Sequence, residues 1–100
     1  MLARVLTVDT GSRRMPELVQ EIRETLPRVY GQVTGYRGMV VLEQDTGTRI
    51  IAASFWDDED AMSVSEHTAA DNAQRIGQAT GTTVSVESYE VLGSNGIRFY

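Results

Sequence analysis

The chain has 100 residues, 41% of them hydrophobic, which is one domain with a modest core that further burial against a second copy would stabilise. Its formal net charge is −5 and its nine Lys and Arg are scattered, so the clustered cations that phosphate neutralisation needs are missing and nucleic acid is excluded as a partner. Cysteine is absent and histidine occurs once, which excludes disulfides, thiolate nucleophiles, iron–sulfur clusters, sulfur-bound zinc and multi-histidine metal sites; no metal is expected.

The opening MLARVLTVDT is interrupted by Arg4 and Asp9, so it holds no unbroken apolar leader, and no apolar run approaches membrane-spanning length. The chain reads as soluble and cytoplasmic, without a membrane partner. Leu2 to Val8 is rich in branched aliphatics and ends at the turn-forming Asp9-Thr10-Gly11-Ser12, which marks a first strand. From Met15, the residues Leu18, Val19, Ile22, Leu26 and Val29 recur at helical spacing, so a first helix follows. Pro16 suits its first position, whereas Pro27 is expected to kink or end it near Leu26, with Gly31 and Gly35 closing the segment. The alternating Glu17, Glu21, Arg23, Glu24 and Arg28 form a solvated face with intrahelical ion pairs.

Tyr36 to Gln44 and Thr48 to Trp56 are strand-like runs around Asp45-Thr46-Gly47, a hairpin loop with glycine available for a positive φ. Their cores, MVVL and IIAASFW, are continuously apolar, so both faces of these strands are expected to be covered. The acids Asp57, Asp58, Glu59 and Asp60 then stand where a helix begins, and helix N-termini favour negative charge. Met62, Ala69, Ala73 and Ile76 carry the helical pattern onward, and Asp71 with Gln74 resembles a second capping box, which places a break near Thr68 to Asp71. Thr82 to Leu92 is the last long strand. Its apolar parity changes between Val84, Val86 and Tyr89, Val91, as a bulge near Glu87 or Ser88, or a strand leaving its own sheet, would produce. The domain is read as residues 1–92, followed by a tail, 93–100, in which Asn95-Gly96 signals a turn before an extra strand through Ile97, Phe99 and Tyr100.

Strand, helix, strand, strand, helix, strand is the α+β, ferredoxin-like βαββαβ order: an antiparallel sheet with helices on one face. A second copy is the economical cover for the other face, giving a homodimer in the form of an α/β barrel.

The element order, GYRG at the start of the second strand, and SFW followed by acids, Ala61 and then His67 resemble the antibiotic biosynthesis monooxygenase family over about Leu2 to Leu92. The resemblance implies a dimeric α/β barrel and a cofactor-independent oxygenase of a small aromatic or polyketide-like substrate, in which a dry pocket holds a phenol-derived anion that reduces oxygen. One branch of the family degrades haem, with an asparagine on the first strand, a tryptophan ending the third and an axial histidine on the next helix. Trp56 and His67 match in type and approximate spacing. The first-strand position falls at Thr7 or its neighbours Leu6 and Val8, and no asparagine precedes Asn72.

Thr7, Trp56 and His67 are therefore the ligand-pocket candidates, with no catalytic residue assigned. No cofactor is expected, haem being the alternative, and a non-catalytic dimeric module binding a small aromatic or apolar ligand is a third reading. Each candidate also has a plainer role. Trp56 shares strand parity with Ile50, Ala52 and Ser54 and can close the core. His67 lies five residues beyond Met62, about 140° around a helix from the apolar face, which points it to solvent unless the helix breaks first. Ser12, Ser54 and Ser63 lack a nucleophile-elbow context, so hydrolysis is not expected.

Overall fold

The computed structural model describes residues 1–11 and 14–96. The elements are β1 (Leu2–Asp9), α1 (Pro16–Tyr30), β2 (Tyr36–Glu43), β3 (Arg49–Trp56), α2 (Glu59–Val64), α3 (Glu66–Thr80) and β4 (Thr83–Glu90). The strands form one antiparallel sheet in the order β2-β3-β1-β4, which is the expected ferredoxin-like α+β arrangement with its second helical connection in two pieces. The continuation from Ile97 to Tyr100, expected as an extra strand, lies outside the described residues.

Register fixes which side chains meet. Leu2, Arg4, Leu6 and Val8 stand opposite Trp56, Ser54, Ala52 and Ile50, and because strand side chains alternate, all eight share the side that faces the helices. Leu18, Ile22, Leu26 and Tyr30 of α1 and Ala69 and Ile76 of α3 close on that side as one buried cluster. Each of the large aliphatics sealed there contributes about 1.5–3 kcal/mol. Val5, Thr7, Val40, Leu42, Ile51 and Ala53 have the opposite parity and form the other face of the sheet. The helices do not cover it; Ala3 is buried there, but Val5, Thr7, Val40, Ile51 and Ala53 are only half-buried and Leu42 is 53% exposed.

Four details differ from the sequence expectations. Pro27 does not end α1, which continues to Tyr30. The lost hydrogen bond and ring clash of an interior proline cost about 3 kcal/mol. That cost is offset because the extra turn carries Tyr30, 3% exposed, onto the rings of Trp56 and Tyr36. The helical break comes at Ser65, earlier than Thr68 to Asp71. The Met62 carbonyl, which would otherwise accept from residue 66, is occupied by Arg4 Nη2 at 2.8 Å and Ser65 Oγ at 2.8 Å. Asp71 lies inside α3 and pairs with His67. β4 runs along β1 in unbroken register, so no bulge occurs at Glu87 or Ser88. The change of parity is real but simpler: Val84 and Val86 face the helices, while Tyr89 stands opposite Ala3 on the other side.

The irregularity lies instead in β2, where the register shifts between Tyr36 and Gly38. Tyr36 is thereby placed opposite Trp56 and Gly38 opposite Phe55. A regular strand would put Tyr36 and Gly38 on one face; the extra residue turns the Tyr36 ring toward the helices. Just before it, Gly35 adopts φ +95°, and a Cβ there would lie 2.6 Å from that of Ala61. Its carbonyl accepts the Asp57 amide at 2.8 Å, which ties the start of β2 to the end of β3.

Candidate functional site

The end of the sheet carrying Trp56 gathers the buried polar side chains Arg4, Ser54 and Ser65 with the aromatic rings of the interior. Trp56 is fully buried, and its Nε1 donates to Ser54 Oγ at 3.0 Å. Tyr30 meets it edge-on with ring centroids 5.2 Å apart, and Tyr36 at 5.3 Å. Burial pushes both phenols above the ordinary tyrosine value; for Tyr30 the neighbouring Arg4 guanidinium opposes the shift without reversing it, and for Tyr36 the nearby Tyr30 adds to it. Tyr36 Oη is buried with no hydrogen-bond partner among the described residues.

Arg4 is the unusual member. It is 5% exposed, on the parity of the strand that otherwise carries Leu2, Leu6 and Val8. Its Nη1 donates to Ser65 Oγ at 2.7 Å and its Nη2 to the Met62 carbonyl at 2.8 Å. The guanidinium carbon lies 5.5 Å from the Trp56 ring centroid and 6.0 Å from that of Tyr30, within cation–π range. The ion pairs among the described residues are Arg14–Glu43, Arg37–Asp57 and Arg75–Glu21, with His67 beside Asp71, and none involves Arg4. Tyr30 cannot supply the missing negative charge at neutral pH, because a phenol is protonated there and burial raises its pKa further. A buried cation thus has neutral oxygens and ring faces for company, but no counterion among the described residues.

Arg4 also lines a cavity of about 600 Å³ between the β1–β4 edge of the sheet and the two helices α2 and α3. Leu2, Met62, Ala69 and Val86 supply its apolar walls, and Glu59, Glu66 and Glu90 stand among its lining residues at exposed positions. The volume suits a small multi-ring organic molecule. The acidic run positions the roof of this space. Asp58 accepts the Ala61 amide at 2.9 Å as the N-cap of α2, and Asp57 pairs with Arg37.

The three residues singled out in the sequence are not brought together. Trp56 backs Arg4 from inside the core. Thr7, opposite Ile51, lies on the other face of the sheet. Of the first-strand positions, Leu6 and Val8 face the helices, and both are buried aliphatics. The His67 side chain is 91% exposed, with Nε2 3.3 Å from Asp71 Oδ2. None of the three lines the cavity. Arg4 was missed, although a charged residue on an otherwise apolar strand parity was the available signal.

Neither a protein-family model nor a curated protein matches the sequence. Among solved structures, the chain is similar to a monooxygenase from the ActVA-Orf6 gene of Streptomyces coelicolor, in complex with nanaomycin D. The TM-score is 0.74 at 14% identity, covering 97% of this chain and 92% of that one. It is also similar to SnoaB, a cofactor-independent oxygenase from Streptomyces nogalater, at a TM-score of 0.61 and 14% identity over 96% and 97% of the two chains. A third is MhuD, a heme-degrader from Mycobacterium tuberculosis with two hemes in its active site, at 0.66 and 17% identity over 96% and 100%. The fold is that of the antibiotic biosynthesis monooxygenases. At these identities the likeness to the antibiotic biosynthesis monooxygenases is one of fold, and chemistry must come from the chain's own residues.

Those residues do not fit haem. The chain's only histidine, His67, points into solvent and toward a carboxylate, away from the cavity. The three glutamates at the cavity would also face anionic propionates with like charge.

Proposed function

We propose that the chain is a cofactor-independent monooxygenase of a small aromatic, phenolic substrate bound in the cavity between β1–β4 and α2–α3. The observation that carries this reading is the buried Arg4 guanidinium, without a carboxylate partner among the described residues, in a cavity of mixed polar and apolar lining. A phenol is a poor reductant of oxygen, and its anion a much better one. A fixed cation beside the hydroxyl favours the anion, and electrostatic stabilisation by preorganised groups is often the largest catalytic contribution. The overall change balances without a further reductant: a phenol and one dioxygen give a quinone and one water, with one oxygen atom entering the ring. Trp56 acts at one remove, holding the guanidinium against its face. Thr7 and His67 have no part in this reading, which invokes no cofactor.

The same reading includes a homodimer formed through the sheet face opposite the cavity, where Val5, Val40, Leu42, Ile51 and Ala53 form an apolar patch across three strands. The activity is tested by incubating the protein with bicyclic and tricyclic phenols under isotope-labelled dioxygen and analysing products by mass spectrometry. A quinone carrying one labelled atom, absent without protein and reduced at least tenfold in Arg4→Met, is the expected result. Turnover that requires added haem or flavin would overturn it.

A further inference from the structure

We infer that Arg4 and the three cavity glutamates form a charge filter that admits an uncharged phenol or enol and holds its anion, while rejecting ligands that arrive already ionised. This rests on the cavity being the ligand site, and it assigns that site a selectivity. The titratable groups lining the cavity are three glutamates, Tyr89, whose phenol the neighbouring Glu87 charge pushes above its ordinary value, and Arg4. Glu59 on α2, Glu66 on α3 and Glu90 at the end of β4 are exposed and negative, while Arg4 on β1 is buried and positive. Tyr30, the remaining titratable group against Arg4, is a phenol protonated at neutral pH, and burial raises its pKa further.

The two signs act at different depths. A carboxylate or sulfonate approaching through the opening meets like charge three times before it reaches the guanidinium, in a chain whose net charge is −5. A neutral hydroxyl crosses the opening without that repulsion. Inside, loss of its proton to water creates an anion beside a cation whose partners are neutral, Ser65 Oγ and the Met62 carbonyl, and an opposite charge at contact distance favours the ionised form. Arg4 pulls on the Tyr30 phenol in the same direction, but there burial at 3% exposure outweighs it. A ligand in the open cavity keeps part of its hydration.

The test needs no turnover. 7-Hydroxycoumarin, whose neutral and anionic forms absorb at different wavelengths, is bound anaerobically across a pH series. 7-Methoxycoumarin and coumarin-3-carboxylate serve as the non-ionising and pre-ionised comparisons. The expected result is a rise of about tenfold or more in the anion-to-neutral ratio of the bound probe over the free one, from an opposite charge within reach. That rise is kept in part by Arg4→Lys and lost in Arg4→Met, with the methyl ether binding more weakly than the phenol. The carboxylate is expected to bind at least tenfold more weakly than the phenol and to gain in the triple variant Glu59→Gln, Glu66→Gln, Glu90→Gln. An unchanged ionisation ratio on binding, failure of all three coumarins to bind, or a carboxylate that binds as well as the phenol would overturn the inference. Should Arg4→Met not fold, the ether comparison and Arg4→Lys still decide it. A positive result without oxygen consumption leaves the filter standing and removes the oxygenase; oxygenation with no change in the probe's ionisation does the reverse.

Discussion

At the scale of single residues, Trp56 and His67 make opposite predictions from the same short segment. Trp56 is fully buried and touches two aromatic rings and a guanidinium, so Trp56→Ala is expected to cost about 3–5 kcal/mol, as large-to-small core changes do. His67 is exposed, and His67→Ala is expected to leave the urea midpoint within experimental error. Urea titration of both variants checks the pair. The phenols give a pH prediction whose direction is fixed by burial. Tyr30 and Tyr36 ionise less readily in the fold than in the unfolded chain. Above the ordinary tyrosine value of about 10, the unfolded state therefore loses protons that the native state still holds, and stability falls as pH rises toward the folded values. Below that value their contribution is fully present. Tyr30→Phe is expected to flatten the decline, seen as a smaller loss of urea midpoint between neutral and strongly alkaline pH. Tyr89 shifts the same way because of the Glu87 charge beside it, but that exposed pair is screened by salt, which separates the two causes. Trp56 was legible as a core residue from its strand parity. Arg4 carried the signal of a charge on an apolar face, yet whether such a charge is paired, or left without a counterion, depends on which residues the fold brings to it.

At the scale of elements, the strands and helices could be read from periodicity because each buries one continuous face. What escaped was set by contacts distant in sequence. The break at Ser65 goes with Arg4, 58 residues before Met62, donating to the Met62 carbonyl beside the Ser65 hydroxyl, and the continuation of α1 through Pro27 depends on aromatic partners in β2 and β3. The acidic run was a local signal and its capping role was readable, although not which acid caps. Asp58 accepts the Ala61 amide, while Asp57 turns to Arg37. Asp58→Ala is therefore expected to cost about 1 kcal/mol, the usual loss for a helix N-cap, whereas Asp57→Ala breaks an exposed ion pair and costs less. Because α2 roofs the cavity, the Asp58 variant is also expected to weaken binding of 7-hydroxycoumarin. Denaturation and probe titration on the two variants measure both effects, and an Asp57 variant less stable than the Asp58 one would reverse the assignment.

For the whole molecule, the decisive feature is that the sheet is apolar on both sides while its own helices cover one. Val5, Ala53 and Val40 lie in one row across β1, β3 and β2, and Ile51 and Leu42 in another. These rows are the continuous apolar runs of the hairpin, which alternation alone would have placed on a solvated face. A single copy leaves Leu42 53% exposed, and a stable interface of standard size removes about 1,200–2,000 Å² from water. The face of a four-stranded sheet is of the right order for half of that. The expected species in sedimentation equilibrium at micromolar concentration is thus a dimer, at about twice the chain mass of 11.0 kDa. Leu42→Asp sets two carboxylates into the interface of a symmetric pair, since an isologous contact repeats every substitution, and is expected to yield monomer. Apart from Tyr89 at the sheet edge, the cavity is lined from the opposite side of the sheet, so the ionisation of a bound phenol is expected to survive in that monomer. A wild-type chain that sediments at the mass of one copy would sink the dimer, and loss of the probe's response in a folded Leu42→Asp monomer would show that the two faces of the sheet are coupled.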